Sequence, residues 1–194
     1  MPPELLRAYI DESVALRPRG QQEYLIGAAL VADDASDEVR GHLRALALPG
    51  QLKLHWKDES ETRRRWIVGR IAELAPMTVV VTQMSEAARR TERCRRKCLE
   101  VLYHELVAMH VHDAVLEQRS EAQDRSDRAH IVSLQGQGLD RRLRIRHVRG
   151  ADDPLLWIAD VLLGAVNAAA RGRPEHLDTL RDTILVHLRT AQSL

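Results

Sequence analysis

The sequence predicts an α/β fold around a mixed sheet that begins antiparallel. Two observations lead there. First, the apolar runs Leu5–Val14 and Tyr24–Val31 are joined by only a short connection, Arg17-Pro18-Arg19-Gly20, rich in turn chemistry. Second, short apolar runs then alternate with helical patterns for the rest of the chain.

In order, Asp33–Leu48 reads as an exposed helix closed by Pro49-Gly50, and Leu52–Trp56 as a short strand. Asp58-Glu59-Ser60-Glu61 has capping-box spacing, so a helix is expected from there to about Ala75. Met77–Gln83, with three consecutive valines, is a strand, and Glu92–His110 a long helix. Ala114–Glu117 is either a strand or a continuation of that helix. Ser120–Leu134 is helical, and Leu143–Val148 alternates as a half-buried strand does. Asp153 as N-cap with Pro154 at the first turn opens a helix running to about Ala170. A last helix is expected over Pro174–Arg189, a C-terminal extension of a single domain spanning residues 1–194. No internal repeat, low-complexity tract or linker divides the chain.

Composition excludes several classes. With 194 residues, 44% of them hydrophobic, the chain can build one substantial core. The net charge of +1 argues against steering of nucleic acid by the whole protein, so any basic surface is local. All but three of the 29 Lys and Arg residues are arginine; the lysines are Lys53, Lys57 and Lys97. Cys94 and Cys98 make neither a disulfide framework nor a zinc ribbon. The first residues lack the pattern of a signal peptide, and no apolar run approaches the roughly 18–20 residues of a membrane span. A cytoplasmic protein without membrane association is the expectation.

The chemistry-bearing residues are acidic. Asp11 and Glu12 stand where the first strand should end, and neighbouring strand residues point to opposite faces. Only one of them can enter a given site; Asp11 shares its face with Tyr9 and Ser13. It is either a metal ligand or a solvated strand-end acid. Asp160 is the one charged residue between Pro154 and Ala170. A carboxylate in so apolar a helix needs a cation, donors or a proton, since leaving it unpaired costs several kcal/mol. A core arginine or a metal would satisfy it. Asp153, Asp160 and Asn167 are spaced by seven and form one helix stripe bordered by Gly164. If Ala114–Glu117 is a strand parallel to the first, Glu117 ends at the same sheet edge as Asp11; if not, it is a surface residue.

Tyr9-Ile10-Asp11-Glu12-Ser13, the Gly27-containing second strand, Leu54-His55-Trp56, Leu116-Glu117-Gln118-Arg119-Ser120 and Leu155-Leu156-Trp157-Ile158-Ala159-Asp160 resemble, in order, the motifs of the domain-of-unknown-function-3800 family. The likeness runs to about Ala170. Val14 replaces a glycine usual in that family, and Glu117 stands where an aspartate is more common. The resemblance implies a ribonuclease-H-like mixed sheet with helices on both faces. It also implies that acids from the first strand, a central strand and a late helix hold one or two Mg²⁺ or Mn²⁺ ions for phosphodiester hydrolysis. Mapped here those acids are Asp11, Glu117 and Asp160.

His55 and Lys57 lie at the expected strand-to-helix junction, where a histidine could move a proton and a lysine meet a phosphate. Arg89, Arg90, Arg93, Arg95, Arg96 and Lys97 form one basic cluster, and Arg141, Arg142, Arg144, Arg146 and Arg149 another. Each is a phosphate-binding surface or an ordinary charged one. His110-x-His112-Asp113 is a further set of metal-ligand types without a matching distant ligand. The expectation is therefore a metal-dependent nuclease acting on DNA or RNA. The rival is a non-catalytic module of the same fold that binds nucleic acid, a protein partner or a second copy of itself.

Overall fold

The computed structural model describes residues 5–86 and 91–190. Strands β1 (Leu6–Leu16) and β2 (Gln22–Ala32) form a long hairpin, turned by a 3₁₀ segment at Pro18–Gly20. After helix α1 (Ser36–Arg44) and helix α2 (Glu61–Glu73), strand β3 (Met77–Ser85) adds antiparallel to β2. Helix α3 (Thr91–Ala108) then crosses to strand β4 (Asp113–Glu117), which lies parallel to β1. Helix α4 (Glu121–Gly136) leads to strand β5 (Arg144–Val148), parallel to β4 at the sheet edge. Helix α5 (Leu156–Ala169) and the short helix α6 (Glu175–Leu180) precede strand β6 (Ile184–Arg189), parallel to β3. The six-stranded sheet has the order β5-β4-β1-β2-β3-β6. The expected α/β class and antiparallel start are thus present.

Strand alternation divides the core in two. Tyr9, Leu25, Val80 and Val115 face a layer built from α1, α2, α5 and α6. Ala8, Ile26, Val81 and Leu116 face α3 and α4 on the other side. Cys94 and Cys98 are buried packing residues of α3, and burial pushes the Cys98 thiol up to about 12. Among the described residues no helix is long and apolar enough to cross a membrane.

Several boundaries differ from the sequence reading, each for a local reason. The helix expected over Asp33–Leu48 is only Ser36–Arg44. Leu52–Trp56 is not a strand: it enters a 3₁₀ turn at Trp56–Asp58, and the Trp56 N–H is taken by a side chain, Asp160. Helix α2 is capped by Ser60, which accepts the Arg63 N–H at 3.3 Å, and not by Asp58. Ala114–Glu117 is a strand. Asp153 accepts the Leu155 N–H at 3.2 Å, but its carboxylate is shared with Arg40, and regular helix begins only at Leu156. The largest difference is at the end: the expected Pro174–Arg189 helix is α6 followed by a sixth strand. Ile184, Val186 and Leu188 alternate inward with Leu185, His187 and Arg189, a period of two that a helix cannot satisfy.

Eleven of the fourteen residues of α5 are buried, and the helix packs on β1 and β2. Its approach depends on close contacts at glycine. A Cβ at Gly164 would lie 2.2–2.5 Å from the indole of Trp56, whose ring is also held edge-on by His176 at 5.1 Å. Gly164→Ala is therefore expected to lower stability by about 1–3 kcal/mol through overpacking. Urea unfolding checks this; an unchanged midpoint would mean that the indole swings aside freely.

Candidate functional site

The β1–β4 register pairs Ile10 with Leu116, so the next residues, Asp11 and Glu117, stand side by side at the carboxyl ends of two parallel strands. Alternation turns Asp11 toward α5 and Glu12 toward α3. The seven-residue stripe of α5 runs along the same face of β1. Asn167 donates to the Ser13 hydroxyl at 3.1 Å, and Asp153 reaches Tyr9 through a shared Arg40. Between them, Asp160 joins Asp11 and Glu117 in lining a pocket of about 260 Å³, together with Lys53, His55 and Arg119. Residues separated by up to 149 positions in the chain meet here because a strand end and a helix stripe are packed together.

Each acid has its own partner. Asp11 is 9% exposed and accepts only the Glu12 N–H, at 2.7 Å, among its described hydrogen bonds. Asp160 accepts the Trp56 N–H at 2.6 Å and lies 3.2 Å from Nδ1 of His55. Both oxygens of Glu117 grip Nζ of Lys53, at 2.5 and 2.7 Å. Burial holds the Asp11 carboxyl well above the usual carboxylate range, reinforced by the negative charges of Glu117 and Asp160 and only partly opposed by Lys53 and the Glu12 N–H. Burial works against the Lys53 ammonium, but Glu117, Asp11 and Asp160 outweigh it and raise its pKa.

Of the residues singled out in the sequence, Asp11, Glu117, Asp160 and His55 share the pocket; Lys57 does not. Lys57 is exposed on the 3₁₀ turn, and the lysine in the pocket is Lys53. The three acids share walls without collapsing onto one point. Among the described residues the set of His, Cys, Asp and Glu whose ligand atoms all lie within 4.8 Å of one another is Asp124, Asp127 and His147. Glu117 has been drawn to Lys53, and Asp160 is tied to the 55–56 backbone and ring.

The Asp124–Asp127–His147 cluster lies on the other face of the sheet and could hold a metal ion. Two arginines lie against it. Arg95, 2% exposed, bonds both Asp127 and Glu12, with Nη2 3.0 Å from Asp127. Arg119 donates its backbone N–H to Asp124 at 3.0 Å and its guanidinium to Asp127 at 3.3 Å. His147 Nε2 is 3.0 Å from Asp127. Burial alone would raise the Asp127 pKa, but His147, Arg95 and Arg119 win and hold it below the usual value. Sequence reading counted Arg95 in a surface cluster. The available signal was the pair Asp124 and Asp127, one helical turn apart, facing the inward histidine of an alternating strand.

Of the basic clusters, Arg89 and Arg90 lie outside the described residues, and Arg93 and Arg96 are exposed. Arg141, Arg142, Arg144, Arg146 and Arg149 are exposed at the β5 edge, with Arg142 on Asp140 and Arg149 on Asp152. His112 faces Asp140 at 3.6 Å, away from the pocket. A scan of the chain against protein-family models finds no match, and a search among curated proteins likewise finds none.

Because the folded chain holds Asp11 above its ordinary pKa, ionising it costs stability as pH rises from the unfolded-state value through the raised one. Asp11→Asn removes that cost. In chelator, the variant is expected to melt above wild type at about pH 8, and the gap to close toward about pH 4. A gap independent of pH would exclude charge repulsion as its source.

Proposed function

We propose that this chain is a metal-dependent nuclease or phosphodiesterase of ribonuclease-H-like fold, related to the domain-of-unknown-function-3800 family. One observation carries the reading: the first strand, an interior strand and a late helix deliver Asp11, Glu117 and Asp160 to one pocket. Those are the three positions from which the family resemblance draws its ligands. The donor set fits a hard cation. It is all carboxylate oxygen, and the Asp11 carboxyl is buried in negative field that the protein only partly compensates. Mg²⁺ or Mn²⁺ is the class of ion such oxygens select.

When bound, the ion would polarise a phosphodiester and favour ionisation of an attacking water. The chain's own residues do the rest. Asp11 and Asp160 would hold the ion, with Asp160 fixed in direction by the Trp56 N–H. His55, about a third exposed at the pocket rim and bonded to Asp160, is placed to pass a proton between the site and solvent. Lys53 and Arg119 bring positive charge to the wall where a phosphate would lie. DNA and RNA are both compatible with this chemistry.

A second reading, a non-catalytic binding module, is favoured by one specific feature: Glu117 is already engaged by Lys53. Cleavage decides between them. With Mn²⁺ and single-stranded or duplex DNA and RNA as substrates, wild type is expected to cut at least one. Asp11→Asn and Asp160→Asn should fall to background with far-UV circular dichroism unchanged. Equal cutting by all three proteins would exclude this pocket as the active site, and no cutting by any would favour the binding module.

A further inference from the structure

The metal reading of the pocket leaves open how many ions it takes, and the next step rests on that reading. We propose that Lys53 stands in for a second divalent cation, so that the pocket is a one-ion site held by Asp11 and Asp160, with the Lys53–Glu117 pair as a built-in positive partner.

Three observations carry this. The first is geometric: both oxygens of Glu117 are spent on Nζ of Lys53, at 2.5 and 2.7 Å, so this acid is already occupied by an ammonium. The second is confinement. Leu54, the next residue, is fully buried, and the Gly150 backbone presses on the pair so closely that a Cβ there would lie 2.7 Å from Oε1 of Glu117 and 2.8 Å from Cδ and Cε of Lys53. Gly150 is itself pinned through its carbonyl, which accepts the indole N–H of Trp157 at 2.6 Å. Lys53 is thus held over Glu117 by packing on two sides.

The third is charge. Asp11, Glu117 and Asp160 with the Lys53 ammonium leave two formal negative charges among these four groups, which one divalent ion neutralises. A second ion beside Lys53 would overshoot, with like charges about 3.5–4 Å apart where two-metal sites place their ions. The other charged lining residues, Glu12, Arg95 and Arg119, are paired among themselves and with Asp127 and Glu92.

The test counts ions. Mn²⁺ is titrated into the full chain by calorimetry, and free Mn²⁺ is followed by electron paramagnetic resonance. Wild type is expected to bind one ion per chain, and Lys53→Arg also one. Lys53→Met and Lys53→Gln, which free Glu117, are expected to bind two, and adding Glu117→Gln to either should return the count to one. Thermal melts establish that each variant is folded. Two ions in wild type, or one ion in folded Lys53→Met and Lys53→Gln alike, would overturn the proposal while leaving the metal site standing. No Mn²⁺ bound by any of the proteins would overturn it together with the metal reading beneath it.

Discussion

The packing of α5 along β1 is the constraint on which the pocket depends. A helix with eleven buried residues gains on the order of 1.5–3 kcal/mol for each large apolar side chain removed from water. Summed over Leu156, Trp157, Ile158, Val161, Leu162 and Leu163, that gross gain far exceeds the several kcal/mol for bringing a second buried carboxylate toward Asp11. Packing therefore wins, and the acids are forced together whether or not their charges agree. What remains is a local excess of negative charge that something else must answer.

The chain answers it differently on the two sides of the sheet. Asp11 and Glu12 are adjacent in sequence, yet one faces α5 and the other α3. Glu12 meets Arg95 and Arg119, which also serve Asp127, so its charge faces guanidinium groups directly. Asp11 meets two further carboxylates and a single lysine already committed to Glu117. A structural ion-pair network and an ion-binding pocket use the same residue types; the match between charges separates them. By that criterion the Asp124–Asp127–His147 cluster, which could hold a metal ion, has guanidinium partners against it, whereas Asp11 has none among the described residues.

Much of this was legible in the sequence because it depends on period. Alternation in Tyr9–Ser13 placed Asp11 and Glu12 on opposite faces, and the isolated charge in an apolar helix marked Asp160. The seven-residue spacing to Asn167 gave the stripe that lies on β1. What was not legible depends on contacts remote in the chain. Lys53 and Lys57 are equivalent in composition, and only the docking of the 53–56 segment against α5 distinguishes them. Arg95 reads as one of many helix arginines until α4 and β5 bring Asp127 and His147 to it. The β6 strand carries its own period of two, but an adjacent helix-start pattern at Pro174 masks it.

The segment from Lys53 to Trp56 ties these features to one another. Leu54 anchors it in the core, and the Trp56 ring sits against α5 where Gly164 leaves room, four residues beyond Asp160 on the same helix face. That seating sets the Trp56 N–H on Asp160, and three residues earlier Lys53 reaches Glu117. One short segment thereby fixes two of the three acids from outside the sheet, while Asp11, among the described residues, accepts the Glu12 backbone N–H. A cation entering the pocket would have to compete with an ammonium for Glu117 but with a backbone N–H for Asp11. The partners of Glu117 and Asp160 are thus set by that segment, and the seat that fixes it is a glycine on α5, 108 residues beyond Trp56.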